Sequence, residues 1–222
     1  MLYLYQKEAG QPQLTLQGDE HRYIFKVRRH KVEDTLYLRN LEDGLLHRYR
    51  ITYMDKHSVI LELQESQTLE VKAKVALHIG WCMIDPKNIE KVLPSLNEMG
   101  VEKITFIYCA RSQKSFKPDF KRWEKILLNS SQQSGRSVMM QLNTAQSLEA
   151  FIAENPQSYL LNFSEQTLTS QGTVDTIVVG CEGGMTEDEV ALFTPERVVG
   201  FDTPLVLKSE SAVCAVAAKI LL

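Results

Sequence analysis

Two short segments near the carboxyl end combine glycine with charged and hydroxyl side chains in a spacing that suits ligand chemistry. The first is Gly180-Cys181-Glu182-Gly183-Gly184, and the second runs from Gly200 to Ser211. Glycines let backbone N–H and C=O groups approach a ligand without interference from a Cβ atom. Within the second segment, a fixed ammonium group such as that of Lys208 would stabilise negative charge that develops in a reaction. Glu210 could orient that lysine, act as a base, or favour the start of a helix by its negative charge.

Each of these segments follows an apolar strand and precedes a helix. Ile177–Val179 leads into the first segment, and Arg197–Phe201 leads into the second. In a parallel α/β sheet such loops lie at the carboxyl edge of the strands, where ligands usually bind. A tight strand-to-helix turn alone would also use glycine, but two such loops at one edge favour a ligand site. Ser209 is the predicted N-cap of the terminal helix.

The chain changes its pattern at about residue 70. Short alternating runs before that point predict a small β-barrel, with one or two helical turns around His21–His30. From Val71 onward strands alternate with helices, which predicts a parallel sheet. The predicted domains are residues 1–68 and 72–222, with a linker in the polar stretch Gln64–Glu70. Within the second domain, Asp85-Pro86 predicts a helix start and Gly100 its end. Thr186 and Glu189 have the spacing of a capping box, which predicts the start of a later helix.

The overall composition is that of an ordinary globular protein, with 222 residues, 44% of them hydrophobic, and a net charge of −3. No apolar run approaches the roughly 20 residues that cross a membrane, and the N-terminus has no signal-peptide core, so we expect a cytoplasmic protein without a membrane partner. The four cysteines lack metal-ligand spacing, so we expect no metal and no disulfide framework. Three of them lie in or beside apolar segments and are expected to be small core residues, whereas Cys181 lies in the glycine loop. No hydrolase elbow or nucleotide-binding glycine fingerprint is present, which argues against those enzyme classes.

The negative net charge conceals two basic segments. Residues 21–31 contain five lysines and arginines and no acid, and residues 111–136 contain seven against two acids. A polyanion could bind such segments, although each alone could equally be solvated surface. The candidate RNA-binding residues are Arg22, Lys26, Arg28, Arg29, Arg111, Lys114, Arg122 and Arg136.

Several further motifs precede the two glycine segments in a fixed order and cover nearly the whole chain. They are His21-Arg22-Tyr23-Ile24-Phe25-Lys26-Val27-Arg28-Arg29, Leu96-Asn97-Glu98-Met99-Gly100-Val101, Arg111-Ser112, Arg122-Trp123 and Gln133-Ser134-Gly135-Arg136. In this order they resemble the SPOUT class of S-adenosylmethionine-dependent RNA methyltransferases. Within that class the chain is most similar to the family that methylates N3 of a uridine in bacterial 16S ribosomal RNA.

The resemblance implies an α/β fold, a SPOUT-type parallel sheet with a C-terminal trefoil knot, plus a small N-terminal PUA-like β-barrel that binds RNA. It implies a homodimer through the knot region, acting on 16S rRNA in the small ribosomal subunit. It also implies that S-adenosylmethionine lies among three loops, with backbone groups binding the adenine. The cofactor-binding residues would be Leu161, Asn162, Gly180, Glu182, Gly183, Gly184, Val199, Gly200, Leu205, Val206, Leu207 and Ser209, and the catalytic residues Lys208 and Glu210.

The chain departs from the family pattern within the expected site. Cys181 stands where proline is usual, and the link that follows Gly200 is longer. Leu205 and Lys208 replace arginines, and lysine keeps the charge but loses the planar fork of the guanidinium. These departures motivate an alternative, a catalytically weak RNA-binding or ribosome-assembly protein that retains the fold. Binding of S-adenosylmethionine distinguishes the two functions.

Overall fold

The computed structural model describes residues 2–169 and 174–222, and the chain divides into two compact units. The first unit contains the residues through Lys72 together with Ser131–Val138. The second contains Ala73–Ser130 and Met139–Leu222.

The sequence pattern did not indicate that Ser131–Val138 groups with the N-terminal residues. Hydrogen bonds between the two segments account for this grouping. The Leu2 amide donates to the Gln132 carbonyl oxygen at 2.8 Å. The Tyr3 hydroxyl donates to the Arg136 carbonyl oxygen, also at 2.8 Å, within the buried interior of this unit. Burial raises the pKa of that hydroxyl well above its ordinary value, although nearby Arg39 and Arg136 oppose the rise.

The first unit is built on a five-stranded sheet in the order β1-β3-β4-β5-β2. Its strands are β1 (Leu4–Tyr5), β2 (Gln13–Gln17), β3 (Thr35–Arg39), β4 (Leu45–Met54) and β5 (Ser58–Thr68). The β1–β3 pair is parallel and the other pairs are antiparallel. Two register shifts between β4 and β5 bend the long hairpin, so that the sheet curls.

The predicted linker was wrong over its first part. β5 continues to Thr68, which pairs with Leu45 at the start of β4. The polar side chains of this stretch had indicated a linker, but residues 64–68 are exposed residues of a strand that pairs with β4.

A short helical segment follows β2 as predicted. Helix α1 (Gly18–Arg22) continues into a π-helical turn at Tyr23–Val27. Ile24 is the buried residue of that turn, and it joins a core formed by the inward residues of the sheet. That core contains Ala9, Leu14, Leu16, Ile24, Leu36, Leu38, Tyr49, Ile51, Val59 and Leu61.

The second unit is an α/β fold with a six-stranded, wholly parallel sheet in the order β11-β9-β10-β6-β7-β8, which confirms the predicted α/β class and the parallel sheet. Its strands are β6 (His78–Cys82), β7 (Lys103–Ile107), β8 (Gln141–Ala145), β9 (Tyr159–Leu161), β10 (Thr176–Val179) and β11 (Val198–Val199). Its helices are α2 (Pro86–Met99), α3 (Phe120–Ser134), α4 (Leu148–Glu154), α5 (Glu187–Val190) and α6 (Ser209–Leu221), of which α3 continues from Ser131 into the residues that group with the first unit. A 3-10 turn at Pro195–Arg197 precedes β11.

Helix α2 begins and ends as the sequence predicts. The Asp85 carboxylate accepts a hydrogen bond from the Lys87 amide, and Gly100 ends the helix with φ of 100°. The inward face of α2 packs against α6. Neither these helices nor any other helix in the described ranges is long and apolar enough to cross a membrane.

The cysteines differ from the prediction in one respect, because Cys82 and Cys109 form a disulfide. Cys82 is the last residue of β6, and Cys109 follows the end of the neighbouring strand β7. The parallel register therefore brings the two Cα atoms to 5.8 Å, although 27 residues separate them in the sequence. Cys181 and Cys214 are free thiols.

Candidate active site

Three neighbouring strands, β11, β9 and β10, send their following loops to one edge of the second unit. These loops are residues 162–168, 180–186 and 200–208. Apart from Ser209, which begins α6, every predicted cofactor residue belongs to one of these loops or to the strand end before it. The sheet order therefore brings together segments that are distant in the sequence.

Gly200 is enclosed by the loop that follows β9. Its amide donates to the Gln166 carbonyl oxygen at 2.8 Å, and its own carbonyl oxygen accepts from the Leu168 amide at 2.8 Å. A Cβ atom at Gly200 would lie only 2.9 Å from the Ser164 carbonyl oxygen and 3.0 Å from that of Asn162. Glycine is required here because the backbone of the neighbouring loop packs directly against it.

The segment from Cys181 to Gly184 forms a tight turn. The Gly184 amide donates to the Cys181 carbonyl oxygen at 2.9 Å, and Gly184 has φ of 68°, which favours glycine. Glu182 and Gly183 are exposed at the tip of the turn, whereas Cys181 is buried. A cofactor that reaches this edge would therefore meet the backbone of the tip.

The start of α6 differs from the prediction. Lys208, not Ser209, occupies the N-cap position, and its side chain is exposed. The buried Ser209 hydroxyl points inward, donates to the Gly180 carbonyl oxygen at 2.5 Å and accepts from the Trp81 indole Nε1–H at 2.9 Å. Ser209 is thus a link between the glycine turn, the core and α6.

Glu210 lies in the first turn of α6, and its Oε2 is buried without a hydrogen-bond partner among the described residues. Among the described residues, no ion pair joins Glu210 to Lys208. Its negative charge, after burial, contributes to raising the pKa of the Cys214 thiol one turn further along the helix. The Oε2 atom of this half-buried side chain therefore faces the protein rather than the exposed edge.

The turn at Gly183 is also held by the loop that follows β7, at the same edge of the sheet. The Arg111 guanidinium donates through Nη1 to the Gly183 carbonyl oxygen at 2.7 Å and to the Met185 carbonyl oxygen at 3.3 Å. A Cβ atom on Gly183 would lie 3.2 Å from the Arg111 Cβ. Close packing with an arginine side chain is therefore one reason for glycine at this position.

Comparison with known proteins identifies the family of this chain. A family profile described as the RNA methyltransferase domain matches residues 71–221, and one described as the RNA methyltransferase PUA domain matches residues 16–64. The ribosomal RNA small subunit methyltransferase E of Helicobacter pylori strain J99 is 36% identical over 225 residues, which cover 98% of each chain. This chain belongs to the ribosomal RNA small subunit methyltransferase E family.

A more distant relative and two solved structures are also similar to this chain over nearly its whole length. The protein of that name from Aquifex aeolicus is 23% identical over 97% of each chain. The Neisseria gonorrhoeae methyltransferase E, solved with S-adenosylmethionine bound, has a TM-score of 0.80 at 19% identity and covers 98% of this chain and 95% of its own. A Legionella pneumophila protein, also solved with S-adenosylmethionine, has a TM-score of 0.78 at 22% identity over 98% of this chain and 94% of its own. At these identities the structures show a shared fold.

The exposed part of this edge has the chemistry that an adenine ring needs. Leu205 and Val206 are 72% and 76% exposed, and Leu207 is also exposed. Among the described residues, the backbone amides of Val206 and Leu207 donate no hydrogen bond. Apolar side chains for the ring face and unpaired amides for the ring edge thus lie on one segment, and the residues present fit S-adenosylmethionine.

Most of the candidate RNA-binding residues are exposed, and some of them also have partners within the protein. Arg22, Lys26, Arg28 and Arg29 are exposed around the helical segment of the first unit, and Lys114 is exposed in the second. Arg28 also donates from Nε to the Tyr23 hydroxyl at 2.6 Å. Arg111 is exposed but hydrogen-bonded to the glycine turn, and Arg122 forms an ion pair with Glu90 at 2.8 Å.

Arg136 does not lie where an RNA phosphate could reach it in this structure. It is only 4% exposed, and its segment is hydrogen-bonded to the N-terminal residues of the first unit. The basic pattern of residues 111–136 could not distinguish this buried arginine from the exposed ones.

Glu189 is a residue whose role at the edge the sequence did not reveal. Its Oε2 accepts from the Thr186 amide at 2.8 Å, as the predicted capping box requires. Its Oε1 accepts from the Ala110 amide at 2.7 Å, in the loop that follows β7. The capping-box pattern could indicate only the first of these contacts, because the second depends on the sheet order.

Proposed function

We propose that this protein transfers a methyl group from S-adenosylmethionine to N3 of a uridine in 16S rRNA of the small ribosomal subunit. The observation that carries the proposal is the convergence of the two glycine loops and exposed Lys208 at one edge. The 36% identity to a ribosomal RNA small subunit methyltransferase E over 98% of the chain supports the substrate class. The N3 position and the uridine rest on the resemblance of the sequence motifs.

The three loops would hold S-adenosylmethionine, whose sulfonium makes its methyl group electrophilic. Backbone groups of Glu182, Gly183 and the segment 205–207 would bind it, with Leu205 and Val206 against the adenine. Ser209 would act indirectly, since its hydroxyl is already hydrogen-bonded to Gly180 and Trp81. The buried core and the fixed loops would hold the methyl group and N3 in line, and such positioning contributes several kcal/mol (up to roughly 7–11) to catalysis.

Lys208 is the residue we assign to the uracil. N3 carries a weakly acidic proton, so its attack requires stabilisation of the uracil anion as that proton leaves. The exposed Lys208 ammonium stands at the N-terminus of α6, where the helix amides also favour negative charge. Both would stabilise the charge that develops on the uracil carbonyl oxygens.

Glu210 is better suited to a structural role than to proton transfer. Its Oε2 is buried, and the carboxylate lies in the first turn of α6, where a negative charge stabilises the helix. A catalytic base would have to reach N3 at the exposed edge, which the buried Oε2 of Glu210 does not.

We further propose the finer features that the family resemblance implies. They are closure of the N-terminal sheet into a PUA-like barrel, a trefoil knot in the C-terminal part, a homodimer through the knot region and a cytoplasmic location. In the dimer, the exposed Arg22, Lys26, Arg28 and Arg29 of one protomer would bind RNA phosphates and present the uridine to the pocket of its partner. Phosphate contacts of this kind position RNA without reading its sequence.

Two measurements on the purified protein test this function. The first is calorimetric titration with S-adenosylmethionine, and the second is transfer of its labelled methyl group to small subunits that lack the modification. Binding together with transfer is the expected result. Binding without transfer to subunits or to free 16S rRNA would contradict the substrate, and no binding would favour the RNA-binding alternative.

A further inference from the structure

The loop that follows β7 and the loop that follows β10 are joined although β6 lies between their strands in the sheet. Arg111 makes the first connection, since its Nη1 donates to the carbonyl oxygens of Gly183 and Met185 at 2.7 and 3.3 Å. These two acceptors flank Gly184, the residue with positive φ that closes the turn. The guanidinium therefore bridges the two sides of the turn.

Glu189 makes the second connection. It is only 7% exposed, and its two carboxylate oxygens have different partners. Oε1 accepts from the Ala110 amide at 2.7 Å, and Oε2 accepts from the Thr186 amide and hydroxyl at 2.8 and 3.2 Å. One buried carboxylate thus fixes both loops, with hydrogen bonds that are strengthened by its charge.

The backbone around Arg111 is itself held in place. The Ser112 hydroxyl accepts from the Cys109 amide at 3.3 Å, and the Ser112 amide donates to the Cys109 carbonyl oxygen at 3.1 Å. Ser112 is buried, so this small turn is part of the core. The Arg111 Cβ lies 3.2 Å from the point where a Cβ of Gly183 would lie, so a side chain at Gly183 would have to displace the Arg111 stem.

We propose that Arg111 and Glu189 are positioning residues that hold the Gly180–Met185 loop in the conformation that binds S-adenosylmethionine; the cofactor part of this inference rests on the proposed function. Arg111 then acts through hydrogen bonds to carbonyl oxygens and not as a ligand of RNA phosphate. Both hydrogen bonds leave Nη1, which lies one covalent bond farther from the backbone than the Nζ of a lysine, so a lysine at this position would not reach the two carbonyl oxygens from the same backbone position. Charge alone cannot replace it.

The test compares Arg111→Lys, Arg111→Gln and Glu189→Gln with Lys125→Gln, which changes an exposed lysine on α3. Hydrogen exchange of peptides covering residues 180–189, measured without cofactor, reports the loop directly. We expect roughly tenfold faster exchange in the Arg111 and Glu189 variants, because each of these loses a hydrogen bond to a charged group. We expect no change in Lys125→Gln. Exchange of the β6 peptides should stay at the wild-type rate in all four.

Cofactor and RNA affinities then separate the two roles of Arg111. We expect both Arg111 variants to weaken S-adenosylmethionine binding roughly tenfold and to raise its KM, while affinity for a 16S rRNA fragment and its salt dependence stay unchanged. A phosphate ligand would behave otherwise: Arg111→Lys would retain RNA affinity, and Arg111→Gln would lose it with a salt slope smaller by about 1. That second pattern, with loop exchange at the wild-type rate, would overturn the proposal. If the wild type binds no S-adenosylmethionine but the exchange result holds, the proposed function fails and the structural link between the loops stands.

Discussion

The Ser209 hydroxyl donates a hydrogen bond of 2.5 Å to the Gly180 carbonyl oxygen, across 29 residues of sequence. The same hydroxyl accepts from Trp81 in the core strand β6, so one side chain connects α6, the glycine turn and the centre of the sheet. Ser209 is buried, and water cannot replace either bond.

Removal of this hydroxyl should therefore cost stability. Ser209→Ala leaves the Trp81 indole N–H and one side of the Gly180 carbonyl without their partner, and we expect a loss of about 1–3 kcal/mol in the free energy of unfolding. Denaturant unfolding measures it, with Ser211→Ala, an exposed serine two residues along the helix, as the matched control. A double-mutant cycle with Trp81→Phe should give a coupling energy of at least about 0.5 kcal/mol, and additive effects would contradict the link.

The glycines at the edge should differ sharply in their tolerance of a methyl group. A Cβ at Gly200 would lie 2.9 Å from a backbone oxygen, whereas at Gly180 its nearest neighbour would be the Met185 Sδ at 3.5 Å. Because backbone cannot move aside cheaply, Gly200→Ala should destabilise the protein by about 1–3 kcal/mol, and Gly180→Ala by much less. Thermal unfolding of the two variants checks this, and equal melting temperatures would contradict the packing described here.

Substitution of Lys208 tests the methyl-transfer step separately from the binding of S-adenosylmethionine. Lys208→Ala should lower kcat by about 10²–10³-fold and leave the affinity for S-adenosylmethionine unchanged, because the ammonium acts on charge that develops in the transition state. Lys219→Ala, which removes an exposed lysine from the last turn of the same helix, should leave both values unchanged. A Lys208→Ala variant with wild-type kcat would exclude the assigned role.

The basic residues of the first unit should determine the salt dependence of RNA binding. Lys26→Gln and Arg29→Gln should each weaken binding to a 16S rRNA fragment and reduce the slope of log K against log salt by about 1. Arg48→Gln is the control, because Arg48 is exposed on the same unit but paired with Glu65 at 3.2 Å. Filter binding at several salt concentrations measures the slopes, and equal slopes for all three variants would contradict this RNA surface.

His78 should make the protein less stable in mild acid. Burial, with Lys103 nearby, lowers the pKa of His78 from 6.5 to about 4, and its Nε2 is hydrogen-bonded to Thr105 at 2.8 Å. The unfolded chain therefore binds the proton more readily, so stability is retained above about pH 6.5 and is lost as pH falls from 6.5 toward 4.

His78→Gln serves as the comparison, since it retains a hydrogen-bonding side chain and cannot titrate. Denaturant unfolding should be measured between about pH 4.5 and 7.5, a range that covers the titration of His78 in the unfolded chain. The free energy of unfolding should depend less on pH in the variant than in the wild type. The carboxylates of Asp34, Asp43 and Asp55 have lowered pKa values, and they affect stability only at lower pH. Parallel profiles for the variant and the wild type would contradict the assignment.

The features that the sequence predicted well are local ones. Asp85-Pro86 and Gly100 define α2, because an N-cap, a proline and a left-handed glycine act within one turn of the helix. The Thr186–Glu189 capping box is local in the same way. Alternation of strands and helices likewise predicted the parallel sheet, since it reflects which faces each element buries.

The features that escaped prediction depend on strand order. Cys82 meets Cys109, and Glu189 meets Ala110, only because β6, β7 and β10 lie side by side. The same holds for Ser209, which has the side chain of an N-cap but turns inward to an acceptor on another loop. Residue type and spacing along the chain contain no information about such partners.

The most direct test of the central claim is mass spectrometry of the nucleosides from 16S rRNA after incubation of unmodified small subunits with the protein and labelled S-adenosylmethionine. We predict that the label appears as 3-methyluridine, and that Lys208→Ala greatly reduces it. Label in another nucleoside, or no label although the cofactor binds, would contradict the proposed reaction.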